Sequence, residues 1–353
     1  MSFEPVRFDA SPIRVNLSSD TQTMPSPAMK AAMMDAPLGD EQGGSDPTVW
    51  ALCDRVAALL GKQAAMFLPS GTMANQVAIA THCRPGDEVL AHEEAHIITS
   101  EGGACQAIAG VMVSGLRGER GQFDAATLEA AIRPGGRYSP PQTLVEVEQT
   151  ANRGGGACWP VERLRAVAKV AHAHGMATHM DGARVLNAAV ALRVAASEVA
   201  EGYDSVWLDF TKGLGAPLGA VLCGTAAFIG QAWRWKQRLG GSMRQGGMCA
   251  AACLYALDNN VERLDDDHAH ARALARSLAQ IPGLRVEVPE TNLVFFDTEE
   301  TAMTARALAD RLRAAGVLVS VSGRYRARAC LHLDVTAAQV EEAVGLIRDA
   351  IGG

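Results

Sequence analysis

The chain has 353 residues, 48% hydrophobic, 20% charged and 5% aromatic, with a formal net charge of −7. That length suffices for one large core and a smaller one, and the negative balance points away from nucleic acid and from a membrane surface as partners. The eight cysteines are scattered without a CxxC pair, and no apolar run is long enough to span a bilayer. Free thiols in a reducing compartment, the cytoplasm, are therefore expected, with no metal site.

Residues 1–15 are expected as an N-terminal arm, with Ile13–Leu17 alternating like a short strand at its end. A short helix follows over Ser26–Met34, then a glycine-containing loop over Gly39–Ser45. Asp46-Pro47 is a good helix opening, with Asp as cap and Pro in the first turn, and Gly61 closes that helix. From Ala65 strands and helices alternate. Strands are expected at Ala65–Leu68, Glu88–Ala91, Ala109–Val113, Thr143–Val147, Ala177–Met180 and Ser205–Phe210, and helices at Thr72–Thr81, Asp124–Ile132 and Pro160–His174. That rhythm marks an α/β domain with a mostly parallel sheet, whose ligands sit beyond the carboxyl ends of the strands. After a strand at Ala220–Cys223, helices are expected at Thr225–Lys236, Met248–Asp258 and Val261–Ile281. A smaller α/β unit closes the chain, giving a large domain over 16–255 and a small one over 256–353.

Three stretches carry chemistry. Pro69-Ser70-Gly71-Thr72 joins a strand to a helix start, where backbone N–H groups and the helix dipole suit a phosphate; the same residues also make an ordinary cap. Asp181 ends a strand beside apolar residues, so its carboxylate needs a cationic partner, either a protonated ring nitrogen or the nearby Arg184. Lys212 ends another strand among Gly213, Gly215 and Gly219. It reads either as a snorkelling lysine or as one desolvated enough to attack a carbonyl. Together, in this order, a phosphate cradle, a strand-end aspartate and a strand-end lysine describe a site for pyridoxal 5′-phosphate.

The chain also resembles the threonine aldolases, fold-type I pyridoxal phosphate enzymes of the β-eliminating lyase group. The resemblance rests on Leu17-Ser-Ser-Asp-Thr21, Gly39-Asp40, Asp46-Pro-Thr48, Ser70-Gly-Thr-Met-Ala-Asn75, His179-Met-Asp-Gly-Ala-Arg184, Thr211-Lys-Gly-Leu-Gly215, Gly240-Gly-Ser-Met-Arg-Gln245 and His332-Leu-Asp334. It implies an aminotransferase-like fold with a seven-stranded sheet in the large domain, and a dimer as catalytic unit within a tetramer. It further implies that Lys212 links to the cofactor and Asp181 meets the ring nitrogen. Ser70, Gly71 and Thr72 would hold the phosphate, with Arg244 reaching in from a neighbouring subunit. Ser19, Arg184 and Arg328 would grip the substrate carboxylate, and His96 would lie over the cofactor ring near the substrate hydroxyl.

Two departures stand out. Ala151, in Glu148-Gln-Thr-Ala-Asn152, replaces a second active-site histidine of the family, and Gly43 replaces a loop tyrosine. Space vacated at both positions would suit a bulkier β-substituent than that of threonine. The activity implied is cleavage of L-β-hydroxy-α-amino acids to glycine and an aldehyde. The alternatives are another lyase or transaldolase reaction at the same site, such as β-elimination, and a non-catalytic cofactor-binding protein.

Overall fold

The computed structural model describes residues 12–352; the expected arm up to residue 11 lies outside them. Strands run in chain order as β1 (Val15–Leu17), β2 (Ala64–Leu68), β3 (Glu88–His92), β4 (Met112–Leu116), β5 (Gln142–Glu148) and β6 (Ala177–Asp181). They continue as β7 (Ser205–Asp209), β8 (Ala220–Gly224), β9 (Arg285–Val286), β10 (Leu293–Asp297), β11 (Val317–Val321) and β12 (Arg326–Cys330). The chain divides into two compact units. The larger is Thr23–Asp265, and the smaller combines residues 12–22 with residues 266–352. The division thus falls ten residues beyond the expected boundary near 255. Asn16–Gln22 belong to the smaller unit rather than the large domain, because β1 pairs in parallel with β11.

In the larger unit seven strands lie in the order β2-β8-β7-β6-β5-β3-β4. Pairs β4/β3, β3/β5, β5/β6 and β6/β7 are parallel, and β8 runs antiparallel to both β7 and β2. Strands β3 and β7 are buried along their full length, as expected for a sheet covered on both faces. One face, with Val145, Val147, Met180, Val206 and Leu208, belongs to a core that includes Leu52, Val56, Leu164, Val167 and Cys253. On the other face the helix Gly71–His82 contributes Ala74, Val77 and Ala78 to a cluster with Trp207 and Leu222. Strand alternation puts Glu146 and Glu148, His179 and Asp181, and Trp207 and Asp209 on this second face. Glu148 is in register with Asp181, so acidic groups gather at the carboxyl ends of adjacent strands.

The smaller unit is a five-stranded sheet, β1-β11-β12-β10-β9, over a core of Leu274, Leu278, Phe296, Leu308, Val340 and Ile347. Its last helix carries the expected capping box: Gln339 N donates to Thr336 Oγ1 at 3.3 Å and Thr336 N to Gln339 Oε1 at 2.9 Å. Three local expectations change. The strand expected at Ala109–Val113 begins at Met112, because Cys105–Ala109 forms a wide helical turn ended by Gly110 at φ +69°. The helix expected over Val261–Ile281 runs Leu264–Leu278. The strand expected at Ala329–Leu333 is β12, starting three residues earlier and following β11, a strand with no alternation to announce it.

Candidate active site

The helix Gly71–His82 fixes the site's frame. Its cap is Ser70, whose Oγ accepts from Met73 N at 3.3 Å; Ser70 and Thr72 are exposed, with first-turn N–H groups at that end. Gly71 is required there, since a Cβ would land on the Trp207 ring. One turn along, Asn75 is completely buried and uses its whole amide. Its Nδ2 donates to Asp181 Oδ2 at 2.8 Å and to Glu101 Oε1 at 2.7 Å. Its Oδ1 accepts from Trp207 Nε1 at 2.7 Å. An indole N–H can only donate, so the orientation of the amide is determined.

The same Oδ1 lies 3.1 Å from His179 Nε2, which must then carry a hydrogen. His179 Nδ1 accepts from Ser205 Oγ at 2.8 Å, and Ser205 Oγ in turn accepts from His82 Nε2 at 2.8 Å. Burial pushes His179 down to about 3 and His82 down to about 4, so both rings are neutral at pH 7. A one-directional chain of hydrogen bonds therefore runs from His82 to Asn75 and holds its amide against the two carboxylates.

Asp181 is 1% exposed, and its Oδ1 accepts from Ala183 N at 3.0 Å. Burial raises its carboxyl above the ordinary range, while His96, Lys212 and the Asn75 amide pull the other way. His96 Nδ1 meets the buried Glu101 carboxylate at 2.8 Å, and that hydrogen bond raises the imidazole against the effect of burial. Glu148 bridges two loops: Oε2 accepts from His96 N at 3.1 Å and Oε1 from Asn152 N at 3.0 Å. Burial, reinforced by Asp181, lifts it to about 7. His92, the other histidine nearby in sequence, is buried and committed to the backbone, with Nε2 3.1 Å from Gly118 O and Nδ1 accepting from Glu94 N at 3.1 Å.

His96, Glu101 and Asp181 have donor atoms within 4.8 Å of one another, the spacing of a metal site. Those atoms are already joined through the Asn75 amide and the His96 ring, an arrangement better suited to a flat cationic heterocycle than to an ion. Lys212 completes the cluster at the end of β7, with its Nζ 3.0 Å from Asp209 Oδ2 and 5.8 Å from the Trp207 ring centroid. The residues fit pyridoxal phosphate: a buried carboxylate for the ring nitrogen, a half-open lysine, and a helix start whose glycine admits close approach.

The remaining expected residues are also located. Arg184 is 6% exposed and donates from Nη1 to Asn152 Oδ1 at 3.4 Å. Arg244 is exposed and pairs with Asp40 at 3.2 Å. Its loop is fastened by Glu41, which accepts from Met243 N at 2.8 Å and pairs with Lys236, a fully buried lysine over the Trp233 ring. Gln42, on the same loop as Glu41, donates to Gln237 Oε1 at 2.9 Å. In the smaller unit Ser19 Oγ hydrogen bonds Thr21 Oγ1 at 2.8 Å, and Arg328 Nη2 donates to Ser18 O at 3.1 Å.

The space expected beside Ala151 is filled. Ala151 is 2% exposed, its N donates to Ala157 O at 3.0 Å, and a Cβ on Gly121 would stand 2.7 Å from the Ala151 Cβ. The Arg153–Gly156 turn folds back over the position, with Gly156 N donating to Ala151 O at 2.9 Å, so the Ala151 side chain is enclosed. Gly43 does face solvent.

Sequence reasoning missed Asn75, Glu101, Glu148, Trp207 and Asp209. Asn75 follows Gly71 by four residues, one helical turn, and Asp209 shares a strand face with Trp207; those spacings were the available signals. Glu101 follows no regular period.

Glu146 yields a stability test. It is fully buried, and neither oxygen has a hydrogen-bond partner among the described residues. Burial first, then Asp181, Glu148 and Glu101, raise it well above its ordinary 4.5. Between 4.5 and that raised value the folded protein keeps a proton that the unfolded chain releases. Stability therefore falls as pH rises through the window, by up to about 1.4 kcal/mol per pH unit for one proton. Glu146→Gln should match or exceed the parent in urea denaturation at pH 7 and show a shallower pH dependence. A less stable variant with an unchanged slope would contradict the neutral assignment.

A family profile described as β-eliminating lyase matches residues 16–301. The chain is 38% identical to low-specificity L-threonine aldolase 1 of Arabidopsis thaliana, covering 96% of each chain. It is also 38% identical to the low specificity L-threonine aldolase of Escherichia coli (strain K12), covering 93% of this chain and 96% of the relative. Among solved structures, Leishmania major threonine aldolase superposes with a TM-score of 0.81 at 20% identity, covering 96% and 99% of the two chains. Sphingomonas wittichii serine palmitoyltransferase superposes at 0.76 and 17% identity, covering 98% and 92%. The expected fold class is in place, and the chain belongs to the β-eliminating lyase family, on its threonine aldolase branch.

Proposed function

We propose that the protein is a pyridoxal phosphate-dependent aldolase that cleaves L-β-hydroxy-α-amino acids, threonine and its relatives, to glycine and an aldehyde. The observation that carries this reading is the convergence of Lys212 and the buried Asp181 at the carboxyl ends of adjacent parallel strands. When bound, the cofactor supplies a sink for the electron pair released as the Cα–Cβ bond breaks. Asp181 balances the ring-nitrogen charge, Gly71 and Thr72 present N–H groups to the phosphate, and Lys212 provides the amine. Arg184 is the carboxylate ligand of the larger unit, and Ser19 and Arg328 keep the same proposed role.

His96 is the proposed base. Its Nδ1 is held by Glu101, so Nε2 is the nitrogen left to take the β-hydroxyl proton. Glu101 then stabilises the imidazolium that forms, which strengthens the base. The aldehyde leaves, Cα takes up a proton, and glycine follows. His96 acts when neutral, so activity should rise as pH climbs through its raised titration.

The eight free thiols suit the cytoplasm, and among the described residues no helix is long and apolar enough to cross a membrane. A homodimer is the proposed catalytic unit, doubled to a tetramer, on the ground that Arg244 is exposed on its own subunit, where its side chain pairs with the partly exposed Asp40. Sedimentation of an active monomer would exclude that role for Arg244.

Product analysis tests the function. Purified protein given the cofactor should become coloured, with borohydride fixing the label on Lys212, and should release aldehyde and glycine in equal amounts from threonine, allo-threonine or phenylserine. Lys212→Ala should keep cofactor without the covalent bond. Ammonia and a keto acid as products would shift the assignment to β-elimination, and a wild type that stays colourless with added cofactor would refute it.

A further inference from the structure

We propose that Asp209 is the proton-transfer partner of Lys212, a catalytic carboxylate for joining the lysine to an aldehyde and releasing it again. The inference rests on reading Lys212 as the cofactor lysine. Asp209 ends β7 three residues before Lys212 and is 6% exposed. Its two oxygens are divided. Oδ1 accepts from Thr211 N at 3.0 Å and from Thr211 Oγ1 at 2.9 Å, which fixes the carboxylate plane. Oδ2 is turned to Lys212 Nζ at 3.0 Å, the reacting nitrogen itself.

The other charged and titratable groups around this pair do not compete for the position. Asp181 on β6 feels the Lys212 charge but already accepts hydrogen bonds from Asn75 and Ala183. Cys253, from the helix Gly247–Asn259, senses the Asp209 charge, and burial keeps its thiol neutral. Trp207 brings an aromatic face and no acceptor for the ammonium proton.

The chemistry calls for such a group. An ammonium must lose a proton before its lone pair can add to an aldehyde carbon. As the carbon–nitrogen bond forms, the aldehyde oxygen departs as water. Of the three ammonium protons one stays on nitrogen and two leave in that water. Asp209 Oδ2 takes them from nitrogen in turn and passes them to the departing oxygen, returning to carboxylate at the end. Exchange with the amino group of a substrate involves no water: the incoming nitrogen bonds to the same carbon, the bond to Lys212 breaks, and Asp209 Oδ2 carries a proton from the incoming nitrogen to the departing lysine nitrogen. A base held at 3.0 Å is within direct transfer distance, without an intervening water.

The test follows capture of pyridoxal phosphate by apoenzyme after rapid mixing, read from the visible absorbance of the lysine-linked cofactor. Asp209→Ala should capture about 10²-fold more slowly, the usual scale for a positioned acid–base group. Added formate, small enough for the vacated space, should restore part of the rate. Asp209→Glu should stay close to the parent, with circular dichroism confirming that all variants fold. Capture by Asp209→Ala at or above the parent rate would overturn the proposal, since the ion pair would then only restrain the lysine. A slow variant that formate leaves unchanged would overturn it as well. Failure of the unmodified protein to form any borohydride-reducible bond at Lys212 would instead strike the underlying functional reading.

Discussion

The larger unit is organised around a carboxylate with almost no water. Asp181 sits at the end of β6, beside Glu148 in register and near Glu101 and Glu146, so carboxyl groups crowd it in a buried pocket. Removing a charge from water costs several kcal/mol unless partners compensate. Two N–H groups help, from Asn75 and Ala183, and so do the positive charges of His96 and Lys212. A protonated ring nitrogen would supply what is still missing, and that need ties the fold to its chemistry.

Much of the unit follows from holding that group still. Asn75 must present its amide to two carboxylates at once, so its carbonyl is pinned by the Trp207 indole and by the neutral chain His179–Ser205–His82. Trp207 needs the helix to come close, and Gly71 permits it by lacking a Cβ. The same glycine opens the helix whose first turn faces the proposed phosphate position. One approach of a helix to a sheet thus serves the acidic end and the phosphate end together.

The class of fold was legible because hydrophobic period and turn residues agree along most of the larger unit. Val161–Ala173 and Ala177–Asp181 lie within a residue or two of where alternation and Gly175 put them. The strand β11 and the joining of β1 to the smaller unit were not legible, since pairing between distant segments leaves no local pattern. For the site, strand-end polar residues disclosed Asp181 and Lys212, whose types are costly to bury without a purpose. Asn75 and Glu101 stayed hidden because their roles come from meeting partners 106 and 26 positions away in the chain, respectively Asp181 and Asn75. Ala151 shows the reverse limit: a small residue in place of a histidine suggests a cavity, yet Gly121 and the Arg153–Gly156 turn close it.

The protonation of the cofactor ring tests the charge assignment at Asp181 most directly. With pyridoxal phosphate labelled by ¹⁵N in the ring and bound to the protein, the nitrogen chemical shift distinguishes a protonated ring from a bare one. Asp181 as a buried anion requires the protonated shift at neutral pH, and its loss in Asp181→Asn. An unprotonated ring nitrogen in the unmodified protein would contradict that charge arrangement and the electron-sink role built on it.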